Sequence, residues 1–236
     1  MYKYRLSADV TLEFETREGV FFPTSTSNVL IEAIRKHTSQ PGKLLDLGCG
    51  IGVVGTVLHR MGLVSPPLFA SDLGTDAVKV TEQNCARNDC PVVARPGGLF
   101  EPWAGSKFDY IVDDVSGVAE EIANVSPWFR GVSCRSGRDG AELVVKVIRE
   151  APPHLEKNGK LFFPVLSLSN TLRLVEEARK CFSTVEMLSH RNWPLPDELM
   201  PHLDLLRRLR DDGCIQFEEK YGMVLWYTDV YVAHNC

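Results

Sequence analysis

Residues 44–55 read LLDLGCGIGVVG, an apolar run interrupted by Asp46 and followed by four glycines. The pattern is that of a strand, a tight turn and the start of a helix. Glycines at such a turn let a ligand approach bare backbone where a side chain would block it. Gly50-Ile51-Gly52-Val53-Val54-Gly55 also satisfies G-x-G-x-x-G, with a second acid, Asp72, further along the chain. What separates the ligands that use this turn is the sign of their charge. A diphosphate sits at the helix N-terminus, where the dipole favours an anion, and Asp46 at the strand end would repel it. A ligand carrying an ammonium and a sulfonium reverses the sign, so the carboxylate becomes helpful, directly or through water.

Beyond this turn the chain alternates. KLLDLG, PLFASD, PVVAR, KFDYIVDD, GKLFFPVL and STVEML read as strands, and amphipathic helical stretches separate most of them. MVLWYTDVYVAH is a last, longer strand. Ahead of the core, residues 1–22 alternate like a β-hairpin, with Glu18-Gly19 as its turn. Pro23 and the hydroxyls Thr24 to Ser27 then open a helix whose Val29, Leu30 and Ile34 share a face. Residues 192–222 fall outside the alternation. They are proline-rich at the start, and Leu199, Leu203, Leu206 and Leu209 recur at helical spacing. The expectation is one α/β domain over residues 1–236. It has a Rossmann-like, seven-stranded, mostly parallel sheet with an antiparallel last strand, an N-terminal hairpin and a helical insertion before the last strand.

Composition narrows the class. The chain has 236 residues, 44% of them hydrophobic, and a net charge of −5 from 26 basic and 31 acidic residues, which disfavours a broad electrostatic grip on nucleic acid. No stretch approaches the ~18 consecutive apolar residues of a membrane span, and MYKYRLSADV lacks the pattern of a signal peptide. Seven cysteines without framework spacing predict a reduced, cytoplasmic protein. Neither Cys85, Cys90 and Cys134 nor any histidine has metal-ligand spacing, so no metal is expected.

LLDLGCGIGVVG resembles the first motif of the class I S-adenosylmethionine-dependent methyltransferases, and LFASDLGTDAVKVTEQNCARN resembles the second. The resemblance implies S-adenosylmethionine as cofactor, held by Asp46, Gly48, Gly50 and Gly52 at the first turn. It also implies Asp72 on the ribose hydroxyls, with Leu73 beside it; a carboxylate accepts both hydroxyl protons of a diol. GVFFPTSTSNVLIEAI, GGLFEPW, FDYIVDD and SGRDGAELVVKVIREAPPHLEKNGKLFF follow the order seen in the release-factor glutamine methyltransferase type. That likeness covers roughly residues 19–166.

Two departures bear on function. The third-strand motif of that type reads Gly-Asp-Leu-Phe, its acid near the adenine amino group, whereas this chain has Gly97-Gly98-Leu99-Phe100. Adenine is then left to backbone at Gly98 and to Leu99 or Phe100, although Phe100 also reads as plain core. The amide-holding Asn-Pro-Pro-Tyr is replaced by Asp114-Val115-Ser116-Gly117, with Asp113 before it. A glutamine amide or flipped adenine is thereby disfavoured as acceptor. Asp113 and Asp114, at the ligand edge of the sheet, are candidate catalytic residues, as amine binder or general base; helix capping and solvent exposure are the bland alternative. Ser27, Ser116, Trp193 and Met200 are candidate substrate contacts, the last two if residues 192–222 close over the pocket as a lid.

The leading expectation is methyl transfer to O, N or C of a small-molecule partner. A protein acceptor is the alternative. So is a different S-adenosylmethionine reaction, aminocarboxypropyl transfer or cyclisation. A non-catalytic partner subunit is disfavoured by the intact Asp46 and Asp72. The oligomeric state has no signature in the sequence.

Overall fold

The computed structural model describes residues 1–129, 131–132 and 134–235. An antiparallel ribbon, β1 (Tyr2–Arg5) and β2 (Thr11–Phe14), stands ahead of the core. Its turn lies at Leu6–Val10, where the Leu6 N–H donates to the Val10 carbonyl at 2.9 Å. The expected Glu18-Gly19 turn is a separate bend beyond β2, closed by the Val20 N–H on the Arg17 carbonyl. The ribbon docks on the core through Phe14, fully buried, and through the Glu15 N–H on Asn84 Oδ1 at 2.7 Å.

The core then runs α1 (Ser25–His37), β3 (Leu44–Leu47), α2 (Val53–Arg60), β4 (Leu68–Asp72), α3 (Thr75–Arg87), β5 (Val92–Pro96), β6 (Phe108–Asp113), α4 (Glu120–Val125), α5 (Glu142–Glu150), β7 (Leu155–Leu166), α6 (Thr171–Cys181) and β8 (Thr184–Pro194). After α7 (Leu203–Asp211), β9 (Glu218–Lys220) and β10 (Met223–His234) close the chain. Strand order is β5-β4-β3-β6-β7-β10-β8, with β9 added at one end of β10. Pairs from β5 through β7 are parallel, and β10 lies antiparallel between β7 and β8. The seven expected strands and the antiparallel last one are thus present.

Parallel strands covered on both faces carry apolar residues on both, and Leu44, Leu45 and Leu47 of β3 are all fully buried. Leu44 joins a cluster with Leu30, Ile34 and Val57 of α1 and α2. Leu45 and Leu47 join the cluster of Val144, Ile148 and Leu174 on α5 and α6. Order reverses between β3 and β6, and open α/β sheets bind ligands at such a point, outside the carboxyl ends of the strands. In register, Leu47 lies opposite Asp113 there.

The insertion is shorter than its expected 192–222, because β8 continues to Pro194 and β9 begins at Glu218. Its leucine stripe is packed: Leu199, Leu206 and Leu209 are fully buried, in one cluster with Ile122 of α4, Phe129 and Trp226. The Gln216 N–H on the Ser167 carbonyl at 2.6 Å and an Arg208–Glu121 ion pair fasten it further. No helix among the described residues is long and apolar enough to cross a membrane.

Candidate active site

A cavity of about 840 Å³ opens at the switch point. One end is walled by the loops after β3, β4 and β5, at Gly48, Ser71 to Ala77 and Gly97 to Leu99. The other is walled by Phe21, Trp128, Phe129, Trp193 and Trp226, with Asp114 to Val118 running along it.

The glycine turn settles the sign of charge at the first end. Gly48, Gly50 and Gly52 all have positive φ, at 73°, 54° and 81°, which a side chain disfavours. The N–H groups of Gly48 and Cys49 donate to the Ser71 carbonyl at 2.9 and 3.1 Å, and that of Gly52 to the Cys49 carbonyl at 2.7 Å. Gly50 N–H donates to Asp72 Oδ2 at 3.0 Å, and Gly55 N–H to Asp46 Oδ2 at 2.9 Å. An anion site of the dinucleotide kind needs such donors unoccupied. Here five amides are satisfied within the chain, two of them by carboxylates whose charge opposes a diphosphate and suits a cationic ligand with a ribose. Asp72 lines the cavity, and its two oxygens accept only the Gly50 and Gly74 N–H groups, leaving lone pairs for a diol.

The other expected cofactor contacts divide. Gly48, Leu73, Gly98 and Leu99 line the cavity, Leu73 being 75% exposed. Gly48 fits tightly, because a Cβ there would meet Val115 Cγ1 at 2.9 Å. Gly50 and Gly52 lie off the wall, Gly52 packed on Thr81, and both shape the turn rather than line it. Asp46 also lies off the wall. It is buried beneath the turn, gripping the start of α2, with Oδ1 unpartnered. Phe100 is buried and stacked on His154 with ring centroids 4.5 Å apart, which makes it core and leaves the wall to Leu99.

At the end of β6 the two acids part. Asp113 is fully buried, accepts the Val115 N–H at 3.1 Å and leaves Oδ2 without a partner. Burial pushes its carboxyl up to about 7, against that N–H, which favours the ionised form. Asp114 is half-buried on the cavity wall, where Ser27 Oγ donates to its Oδ2 at 2.8 Å. Desolvation raises Asp114 to about 8, with the Ser27 bond opposing it and the charges of Asp46 and Asp113 adding to it. Buried Ser27 therefore reaches the site through Asp114. Ser116 and Trp193 line the cavity, whereas Met200 is 41% exposed and lies away from it.

Trp128, Phe129, Trp226 and Phe21 are wall residues that sequence reasoning did not single out. The Pro127-Trp128-Phe129 tripeptide after α4 was the available signal. Among the described residues no group of three or more His, Cys, Asp or Glu is arranged to hold a metal ion.

In fold and motif the chain resembles the class I S-adenosylmethionine-dependent methyltransferases. The family model of the methyltransferase small domain matches residues 11–114. The release factor glutamine methyltransferase of Aquifex aeolicus is 29% identical over 182 residues, 72% of this chain and 63% of the relative. The ribosomal protein uL3 glutamine methyltransferase of Bradyrhizobium diazoefficiens is 26% identical over 183 residues, 71% of this chain and 56% of the relative. This chain thus spans less than two thirds of either. Among solved structures, the T. thermophilus 16S rRNA N2 G1207 methyltransferase, in complex with AdoMet and guanosine, aligns with a TM-score of 0.61 at 16% identity. That alignment covers all of this chain and 50% of the other, and it speaks for the fold.

Proposed function

We propose that this protein transfers the methyl group of S-adenosylmethionine to a nitrogen on a protein side chain or chain end. The observation that carries this reading is the two-ended cavity, with a ribose-competent carboxylate at one end, an aromatic wall at the other and Asp114 between them. When bound, S-adenosylmethionine supplies an electrophilic methyl. Asp72, Gly48, Leu73, Gly98 and Leu99 would hold it. The protein contributes alignment, water exclusion by the aromatic wall and a proton acceptor at Asp114. Asp113 and Ser27 set the state of Asp114 rather than touch the acceptor. Trp193 and Ser116 stand where an acceptor would lie, and the insertion holds the aromatic wall in place.

The small-molecule acceptor expected from the sequence loses ground to its alternative, because relatives such as the two above are named for a release factor and a ribosomal protein, and others are named for ribosomal RNA. The protein is incubated with radiolabelled S-adenosylmethionine and either the protein, the RNA or the small-molecule fraction of a cell extract, with mass analysis of nucleoside products. Label in protein with S-adenosylhomocysteine released is expected. Label confined to small molecules or RNA would reassign the acceptor, and methylthioadenosine would replace methyl transfer with another chemistry.

A further inference from the structure

We infer that the aromatic end of the cavity is an ammonium-binding subsite, so that the acceptor is a protonated primary amine of a protein and not an uncharged amide. This inference rests on the methyltransferase reading above and adds the chemistry of its acceptor.

Three observations converge on it. The first is the rings. Trp128 and Trp226 have centroids 5.3 Å apart at 52°, Trp193 and Trp226 6.4 Å apart at 37°, and Phe21 and Phe129 5.3 Å apart at 46°, and all five line the cavity. A ring face that meets the cavity offers the negative π surface that attracts an ammonium group. The second is the loss of polar handles. Trp226 Nε1 donates to the Pro194 carbonyl at 3.2 Å and Trp193 Nε1 to Thr228 Oγ1 at 3.2 Å. These two N–H groups are therefore taken within the chain, and Trp226 is nearly buried at 6% exposure. The third is charge. The described wall carries Asp72, Asp76 and Asp114 against Arg135, which is exposed. Asp76 is paired with Arg17 at 3.3 Å, but the partner of Asp114 is the Ser27 hydroxyl, which supplies no countercharge. A substrate ammonium between that carboxylate and the rings would supply it.

The chemistry balances. The ammonium gives one proton to the Asp114 carboxylate, and its freed lone pair forms the N–C bond. The S–CH3 bond breaks with its electron pair remaining on sulfur. The methylated nitrogen takes up the positive charge that the sulfonium gives up, and the proton on Asp114 leaves to solvent.

The test uses the whole chain without cofactor. Tryptophan fluorescence is titrated with choline and with 3,3-dimethylbutan-1-ol, its uncharged isostere of the same shape. Choline is expected to bind about fivefold or more tightly. W128L should erase that preference and W128F should restore part of it, both with unchanged S-adenosylmethionine affinity. Equal binding of the two probes by the wild-type protein would overturn the inference. In parallel, three peptides are offered with S-adenosylmethionine: one with lysine and an acetylated N-terminus, one with a free N-terminus and no lysine, and one with glutamine only. Methylation of the first or second supports the inference and says which amine is used. Methylation of the glutamine peptide alone overturns it while leaving methyl transfer to protein intact. Choline preference with label going only to RNA or small molecules would instead retain the cation subsite and remove the protein acceptor.

Discussion

Asp72 Oδ2 accepts the Gly50 N–H at 3.0 Å, so the acid that ends β4 is tied to the glycine turn that follows β3. One carboxylate thereby holds the two motif loops together while facing the cavity. Asp72→Ala would remove both the brace and the diol acceptor. Charge-assisted hydrogen bonds are worth roughly 1.5–3 kcal/mol each. The expected result is a 10- to 100-fold weaker Kd for S-adenosylmethionine by calorimetry, with Asp72→Asn intermediate because it keeps one carbonyl acceptor. A Kd within about twofold of wild type would remove Asp72 from the site.

The Ser27–Asp114 bond at 2.8 Å predicts a pH profile. Burial raises Asp114 to about 8, so its proton-accepting form grows as pH rises through that value. In the free enzyme kcat/KM should therefore climb through about pH 8. Ser27 donates to the ionised form and opposes the rise. Ser27→Ala should thus move the midpoint upward, by on the order of one unit, with little change in the plateau. A midpoint that stays or falls would separate Ser27 from the chemistry.

Stability should respond in the opposite sense. Asp46 and Asp113 are both buried with one orphaned oxygen, and burial raises each to about 7. A folded pKa above the unfolded value of about 3.9 means that the native state binds the proton more tightly. The resulting stability is complete below about pH 4 and is lost as pH rises to about 7, by up to about 1.4 kcal/mol per pH unit for each group. Asp113→Asn keeps an acceptor for Val115 and cannot ionise. Asp114, raised to about 8, loses stability over the same range, so denaturant unfolding of Asp113→Asn from pH 5 to 7 should show a slope roughly two thirds that of wild type; an unchanged slope would mean that Asp113 titrates normally.

Much of the sheet was legible because a strand covered on both faces must be apolar throughout, as β3 is at Leu44, Leu45 and Leu47. Asp72 ends β4, Asp114 directly follows β6 and Leu99 lies in the loop after β5, and the order of the strands brings all three to the cavity wall. Asp46, expected to serve the cofactor directly or through water, lies buried beneath the turn. Position along a strand does not say that its carboxylate reaches down to Gly55 rather than out to a ligand. Met200 failed for a related reason: it follows Leu199 in a 3-10 turn, and the residue beside a buried anchor points to solvent. Trp128 and Trp226 lie 98 residues apart with no shared pattern, and only the placement of β10 in mid-sheet brings their rings to 5.3 Å.

The insertion can be tested by weakening its seat instead of cutting it out. Leu206 and Leu209 are fully buried in the cluster that includes Phe129 and Trp226, both on the cavity wall. Deleting residues 196–218 would uncover those rings and confound any kinetic reading. Leu206→Ala removes one anchor, and substitutions of that kind cost about 2–5 kcal/mol when the site does not collapse. The cofactor end is built from the loops after β3, β4 and β5 and shares no residue with this cluster. The variant, studied below its lowered Tm, should therefore bind S-adenosylmethionine with wild-type affinity while KM for the acceptor rises severalfold. Parallel loss of both affinities would show that the insertion supports the whole fold. Unchanged acceptor KM, despite the lost stability, would show that the aromatic wall keeps its shape without the insertion behind it.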